Sequence, residues 1–201
     1  MKIGILGTGH VAGLLAAAWQ KAGHDITLGS RDPGSKQLDF AVDTLAGTGR
    51  GADVVVNAII GSAAVETISS IDSEVFDGKT VIDVTNALTP GFELVYPSSS
   101  VAEQLQQALP DAHVVKTMNT AAMTLMTNPA SIGASSVFLS GDDADAKAET
   151  AGLLTDLGWS SGDFVDLGGI DTAGGPEHYF FLFFRLAGAL KSEAFNIRVV
   201  K

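Results

Sequence analysis

The 201-residue sequence has no cysteine at all. This absence excludes disulfide bonds, thiolate nucleophiles and zinc sites with cysteine ligands. Histidine is also scarce, and its four positions, His10, His24, His113 and His178, are too scattered to form a metal-binding pair. We therefore expect no metal centre in this protein.

Basic residues are the second scarce class, because 12 lysines and arginines accompany 23 aspartates and glutamates, for a net charge of -11. Such a surface lacks the basic stripe that binding to nucleic acid phosphates requires. Apolar runs stay below the roughly 18 residues of a membrane-spanning helix, and the first strand begins too close to Met1 to leave room for a signal peptide. We expect a cytoplasmic protein that binds neither nucleic acid nor a membrane.

Short apolar runs alternate with helical patterns along the chain. Strands are predicted at residues 2–6, 26–28, 53–60, 80–84, 114–118, 137–139 and 164–167. Helices are predicted at residues 11–22, 62–70, 100–108 and 145–157. This order is typical of an α/β protein with a doubly wound, mainly parallel sheet of the Rossmann type.

A glycine-rich turn follows the first predicted strand and reads Gly7-Thr8-Gly9-His10-Val11-Ala12. It matches the G-x-G-x-x-A pattern of dinucleotide-binding folds. Gly7 permits the tight turn, Gly9 lets a pyrophosphate approach the backbone, and Ala12 lets the helix pack closely on the strand. Since the helix N-terminus offers N–H groups and a positive dipole end, we predict that the phosphates lie there.

The end of the second predicted strand distinguishes NADP from NAD. An NAD site places Asp or Glu there, against the ribose 2′-hydroxyl. This chain instead has Ser30 and Arg31, which can both donate hydrogen bonds to a 2′-phosphate, and Asp32 is expected to point away. Lys36 can add a second cation. The sequence therefore predicts NADP(H) as the cofactor.

The C-terminal part differs from the rest of the chain. A glycine-rich stretch over residues 158–175 marks the change, so we assign residues 1–168 to the NADP-binding domain and residues 169–201 to a helical segment. A helix is predicted from His178 to Leu190, with aromatic side chains around most of its circumference. A helix that is apolar all round must be buried, and we expect a second subunit to bury it in a homodimer.

The loops after the third, fourth and fifth predicted strands should form a second ligand site, because ligands bind at the carboxyl ends of the strands in such sheets. Backbone and apolar contacts to the nicotinamide end are expected from Ala58, Ile59 and Ile60. The amides and hydroxyl of Asn86, Asn119 and Thr120 can bind a carboxamide or a second ligand, or only cap their loops.

Acid–base groups near this site are few. Lys116 lies at a strand end. We favour a solvated or ion-paired side chain there over a catalytic one. His178 can approach a substrate, although packing is the preferred interpretation. We assign no catalytic residue, since direct hydride transfer between two redox cofactors needs alignment more than a base.

Four segments together resemble the NADPH:F420 oxidoreductase family, whose relatives include the flavin-using reductase domains of the STEAP ferric reductases. The segments are Ile3-Gly4-Ile5-Leu6-Gly7-Thr8-Gly9, Gly29-Ser30-Arg31, Val115-Lys116-Thr117-Met118-Asn119-Thr120 and Phe195-Asn196-Ile197. The resemblance implies a homodimer in which a deazaflavin stacks on the nicotinamide near the C-terminal segment. It further implies pyrophosphate contacts from Thr8, Gly9, His10 and Val11, 2′-phosphate contacts from Ser30 and Arg31, nicotinamide contacts from Ala58 and Ile59, and contacts to the second cofactor from Asn119, Thr120 and Ala121.

Three functions remain open from the sequence. The first is an oxidoreductase that passes hydride between NADP(H) and F420 or a flavin. The second is an NADPH-dependent reductase of a small imine or carbonyl compound, similar to pyrroline-5-carboxylate reductase. The third is a non-enzymatic NADP(H) sensor. The first two require a small-molecule redox partner, and we prefer the first.

Overall fold

A computed structural model describes residues 1–35 and 37–200 of the chain. Its centre is one eight-stranded sheet with the order β3-β2-β1-β4-β5-β6-β7-β8. The strands are β1 (Lys2–Leu6), β2 (Asp25–Ser30), β3 (Ala41–Thr44), β4 (Val54–Asn57), β5 (Thr80–Asp83), β6 (His113–Thr117), β7 (Val137–Ser140) and β8 (Phe164–Asp166). All neighbours pair in parallel except β6 and β7, which are antiparallel. The predicted doubly wound Rossmann-type fold is confirmed.

Seven α-helices cover the two faces of this sheet within the described ranges. They are α1 (His10–Lys21), α2 (Leu45–Gly51), α3 (Gly61–Ser69), α4 (Val101–Ala108), α5 (Met123–Met126), α6 (Ala144–Asp156) and α7 (Gly174–Leu190). None of the helices in these ranges is long and apolar enough to cross a membrane.

Each face of the sheet has its own apolar core. On one face, buried Trp19 of α1 donates a hydrogen bond from Nε1 to the Leu153 carbonyl of α6, at 3.0 Å. On the other face, Ile68 of α3 and Leu105 of α4 pack with Phe76. Because both faces are covered, the central strand β4 is buried at every residue, which explains its three consecutive valines.

The chain winds outward from β1 through β2 to β3 and then returns to β4, which lies on the other side of β1. Leu6 at the end of β1 is therefore paired with Gly29 on one side and Asn57 on the other. Such a reversal of strand order separates the connections that leave β1 and β4 and opens a crevice at their carboxyl ends.

Strand β3 and helix α2 were not predicted. Strand β3 is an edge strand with exposed residues and no apolar run, whereas α2 reads Leu-Ala-Gly-Thr-Gly-Arg-Gly and resembles a loop. The helix forms because Thr44 accepts a hydrogen bond from the N–H of Gly47 at 3.0 Å and because α2 packs closely on β1. A Cβ on Gly4 of β1 would lie 2.8 Å from the Thr48 carbonyl oxygen. Tertiary packing thus overrides the weak local helix propensity.

Two predicted boundaries were wrong by more than two residues. The strand predicted at residues 53–60 ends at Asn57, since the side chain of Asn57 accepts a hydrogen bond from the N–H of Ile59 and turns the chain. Residues 58–60 therefore form a loop, and Ile60 is 78% exposed. The aromatic helix begins at Gly174, one turn before the predicted start at His178.

Helix α7 is only partly buried by its own chain. Glu177 and Phe183 are buried, whereas Leu182, Phe184 and Leu190 are 53%, 39% and 57% exposed. The expectation that a second subunit covers this helix stays a prediction.

The close contact between β1 and α2 can be tested with a matched pair of glycine substitutions. Gly4→Ala should lower the free energy of unfolding by about 1–3 kcal/mol, because the new methyl group presses on the backbone of α2. Gly152→Ala, at an exposed position of α6 with no neighbouring atom, should raise it by about 0.5–1 kcal/mol. Urea denaturation measures both, and equal stability of Gly4→Ala and wild type would contradict the contact.

Candidate functional site

Two adjoining cavities open at the carboxyl ends of the central strands. The turn cavity has a volume of about 390 Å³ and lies between the turn after β1 and the end of β2. The aromatic cavity has a volume of about 430 Å³ and lies between the ends of β4, β5 and β6 and the side of α7. Both are lined by Gly9, Ala58, Ile59 and Ile60, so a ligand in one cavity can touch a ligand in the other.

The turn cavity is built around two glycines. Gly7 has a φ of 124°, and a Cβ there would lie 2.7 Å from the Ala58 carbonyl oxygen, so both conformation and space require glycine. At Gly9, by contrast, a Cβ would meet no atom within 4 Å. The backbone there is bare and open, and it leads directly into the 12-residue helix α1. This arrangement fits a pyrophosphate held at a helix N-terminus.

The far end of the turn cavity carries the residues predicted to distinguish NADP from NAD. Ser30, Arg31, Asp32 and Ser35 line it. The expectation that the Asp32 carboxylate points away stays a prediction, although Asp32 is one of the lining residues. Its N–H donates a hydrogen bond to Oγ of Ser30 at 3.1 Å, which brings the two residues together. Lys36, the second predicted cation, lies outside the described residues.

The aromatic cavity has one polar wall and one apolar wall. The apolar wall includes Phe180, Phe183 and Phe184 of α7, and Phe183 and Phe180 are stacked nearly parallel. The polar wall comes from the loops after β5 and β6. Of the residues predicted for the second site and the dinucleotide end, the structure brings these to the aromatic cavity: Gly9, His10, Val11, Ala58, Ile59, Ile60, Asn86, Asn119, Thr120 and Ala121.

Asn86 and Asn119 bind each other in this polar wall. Nδ2 of Asn86 donates to the Asn119 carbonyl at 2.8 Å, and Nδ2 of Asn119 donates to Oδ1 of Asn86 at 2.9 Å. The preceding residue, Met118, has a φ of 58°, which lies in the left-handed region that residues with a side chain rarely adopt. The two asparagines therefore hold the loops after β5 and β6 together at the edge of the cavity.

A buried ionic network lies behind the polar wall. Nζ of Lys116 donates to Oδ2 of Asp83 and to Oε1 of Glu177, both at 2.7 Å, and also to the Thr85 carbonyl. The side chains of Lys116, Asp83 and Glu177 are at most 1% exposed. Of the two non-catalytic interpretations left open by the sequence, solvated or ion-paired, the structure shows the ion pair.

The two carboxylates of this network were missed by sequence reasoning. The sequence does carry a signal for Asp83, because it is a charged residue directly after the apolar Val81-Ile82. The structure pairs it in register with Lys116 on the neighbouring strand. No comparable signal existed for Glu177, which is 61 residues away from Lys116 in the chain. Only the packing of α7 on the sheet brings it there.

Burial and charge act in opposite directions within the network. Burial favours a lower pKa for Lys116, but the carboxylates of Asp83 and Glu177 outweigh it and raise that pKa above its usual value. Burial also raises the pKa of Glu177, and Lys116 offsets this only in part. Lys116 is therefore a charged ammonium at neutral pH, while Glu177 accepts a proton more readily than an exposed glutamate.

Comparison with known proteins agrees with this geometry. Residues 2–87 match the model of a family described as NADP oxidoreductase, coenzyme F420-dependent. A solved structure from Arthrobacter sp. FB24, described as a candidate F420-dependent NADP reductase, is 38% identical, with complete coverage of both chains and a TM-score of 0.93. The chain belongs to the family of coenzyme F420-dependent NADP oxidoreductases. It is accordingly an NADP-dependent oxidoreductase, and the resemblance noted in its sequence is confirmed.

More distant structures share the fold of this F420-dependent oxidoreductase family. A hypothetical protein of Sinorhizobium meliloti is 24% identical, covering 86% of this chain and 88% of its own, with a TM-score of 0.69. A reductive aminase from Aspergillus terreus, in complex with NADPH and ethyl-5-oxohexanoate, is 22% identical, covering 94% of this chain and 62% of its own, with a TM-score of 0.70. The relation to the STEAP reductase domains stays a prediction.

The buried network predicts unequal effects for two lysine substitutions. Lys116→Met should lower the free energy of unfolding by about 3–5 kcal/mol, because two buried carboxylates lose their partner. Lys147→Met is the control, since Lys147 pairs at 2.8 Å with Asp166, whose side chain is 58% exposed, and should cost at most about 1 kcal/mol. Urea denaturation at neutral pH compares them, and similar losses would contradict the assigned role of Lys116.

Proposed function

We propose that this protein transfers a hydride between NADP(H) in the turn cavity and a flat-ringed acceptor, the deazaflavin F420 or a flavin, in the aromatic cavity. The observation that carries the proposal is the junction of the two cavities at Gly9, Ala58, Ile59 and Ile60. Hydride transfer requires the two reacting rings to be in contact, and this junction is where the end of a dinucleotide would meet a second ligand.

NADP(H) would lie along the turn cavity with its pyrophosphate over the backbone of Thr8 and Gly9, at the N-terminus of α1, where His10 and Val11 line the adjoining aromatic cavity. Ser30 and Arg31 would bind the 2′-phosphate through a hydroxyl and a charge-assisted guanidinium contact. The loop of Ala58 and Ile59 would support the nicotinamide end. When bound, the nicotinamide ring supplies or accepts the hydride.

The acceptor would lie against the aromatic wall of α7. Phe180, Phe183 and Phe184 offer flat apolar surfaces for a ring system, and a volume of about 430 Å³ is within the usual size of ligand cavities. These side chains exclude water from the transfer path, while Asn86 and Asn119 keep the opposite wall in place. The chain thus contributes orientation and a dry cavity rather than a catalytic base.

A homodimer is part of the proposal. Leu182, Phe184 and Leu190 of α7 and the neighbouring Phe92 are all more than a third exposed in the single chain. The ring centroids of Phe92 and Phe184 are 4.6 Å apart, so these two side chains form one apolar surface beside the aromatic cavity. Patches of this kind mark interaction sites, and a second copy of α7 would cover it.

A second candidate function is reduction of a small imine or carbonyl compound with NADPH. It is favoured by the charge of the aromatic cavity, whose described lining includes Glu193 and His10 but neither lysine nor arginine. Such a lining suits an acceptor without an anionic group.

The 2′-phosphate assignment predicts a selective loss of affinity. Arg31→Ala should weaken NADPH binding by about 1–3 kcal/mol through loss of a charge-assisted contact, and it should leave NADH binding nearly unchanged. Arg50→Ala, at an exposed position in α2, is the matched control and should affect neither nucleotide. Calorimetric titration of NADPH and NADH into the wild type and both variants measures these affinities. Equal losses for NADPH and NADH in Arg31→Ala would refute the assignment.

The acceptor is identified by anaerobic oxidation of NADPH with F420, FMN, FAD or 1-pyrroline. We expect turnover with F420 or a flavin and much less with the imine. Turnover with 1-pyrroline alone would support the second candidate. Tight NADPH binding without turnover on any of the four would overturn the proposed hydride transfer.

A further inference from the structure

The buried network of Lys116, Asp83 and Glu177 has no role in the hydride transfer proposed above. A purely stabilising role is a weak explanation, since well-packed apolar residues often stabilise a core as well as a buried ion pair does. Oε2 of Glu177 is, moreover, a buried oxygen without a hydrogen-bond partner among the residues that the structure describes. Burial of an oxygen without a partner destabilises the fold, which indicates that the position of Glu177 serves a purpose other than stability.

Glu177 connects the first turn of α7 to two other elements. Its Oε1 accepts hydrogen bonds from Nζ of Lys116 at 2.7 Å and from the backbone N–H of Val101, the first residue of α4, at 2.9 Å. Phe180 and Phe184 follow it by three and seven residues, so all three lie along one side of α7. A shift of Glu177 would therefore move the aromatic wall.

Lys116 connects Glu177 to the polar wall on the opposite side of the aromatic cavity. It donates to the Thr85 carbonyl and to Asp83, whose Oδ1 accepts from Oγ1 of Thr85 at 2.8 Å. Thr85 and the adjacent Asn86 both line the aromatic cavity. The ammonium of Lys116 is thus bonded at once to the polar wall and, through Glu177, to the helix of the aromatic wall.

We propose that Glu177 is a positioning residue for the acceptor: its contact with Lys116 sets the separation of the polar and aromatic walls of the cavity in which the acceptor binds. The role rests on the proposed function, because it concerns the same cavity. It requires the length of the glutamate side chain and an accepting oxygen at its end, whereas the negative charge itself is secondary.

Two substitutions separate length from charge. Glu177→Gln keeps the length and the accepting oxygen but removes the charge, whereas Glu177→Asp keeps the charge but must draw α7 toward Lys116. We expect Glu177→Asp to raise the KM for FMN or F420 about tenfold, since displacements near 1 Å already impair alignment, and Glu177→Gln to raise it by at most about threefold. Both should leave the Kd for NADPH unchanged, because the turn cavity does not contact Glu177.

Hydrogen exchange of residues 178–190 provides a readout that needs no acceptor. Glu177→Asp should speed exchange in this segment more than Glu177→Gln does. Glu103→Asp and Glu103→Gln are the matched controls, since Glu103 lies in the first turn of α4 and contacts Ser99 and Ser100 instead of Lys116. They should alter neither KM nor the exchange of α7.

The proposal is overturned if Glu177→Gln is more harmful than Glu177→Asp, if the Kd for NADPH changes as much as the acceptor KM, or if exchange in α7 does not respond. A wild-type protein that reduces neither FMN nor F420 overturns the proposed function instead. In that case the exchange data still decide whether Glu177 holds α7 in place.

Discussion

Strands β1 and β4 lie side by side, and the loops that leave them touch where Gly7 meets the Ala58 carbonyl. A side chain at Gly7 would lie 2.7 Å from that oxygen, so the two loops can approach this closely only because the residue is glycine. Both cavities begin at this contact. The turn cavity lies on the β2 side of it, the aromatic cavity lies on the β5 and β6 side, and residues 58–60 form the border between them.

Arg31 and Lys116 are two cations of this acidic chain that lie in contrasting environments, one exposed and one buried. Arg31 is exposed at the rim of the turn cavity, where a flexible guanidinium is available to an incoming phosphate. Lys116 is 1% exposed, and it donates hydrogen bonds to Asp83, Thr85 and Glu177. In our interpretation the first contributes to cofactor choice, and the second contributes to the shape of the acceptor cavity.

Helix α7 takes part in the acceptor cavity, in the proposed role of Glu177 and in the proposed dimer. Its first turn is held by Glu177, and its middle supplies Phe180, Phe183 and Phe184 to the cavity. Its exposed apolar residues are where we propose that a second subunit packs. Phe195 beyond the helix stacks on Phe183 at a centroid distance of 5.0 Å, which adds the chain's last segment to the same packing. A change at any of these contacts is expected to reach the acceptor before it reaches NADP(H).

The sequence by itself determined the features that depend on neighbours in the chain. The turn of residues 7–12 requires glycine where the backbone has a positive φ, and the apolar runs of the central strands follow from burial on both faces. Both features can therefore be recognised from a local sequence pattern. The same holds for Ser30 and Arg31, whose place at the end of β2 follows from their distance to the turn.

Only the tertiary structure decided features whose causes lie far away in the chain. Helix α2 forms from a glycine-rich segment because it packs on β1. Glu177 reaches Lys116 only after α7 has docked. The physical reason is that burial, ion pairing and close backbone contact arise between surfaces brought together by folding, and no local pattern records the partner surface.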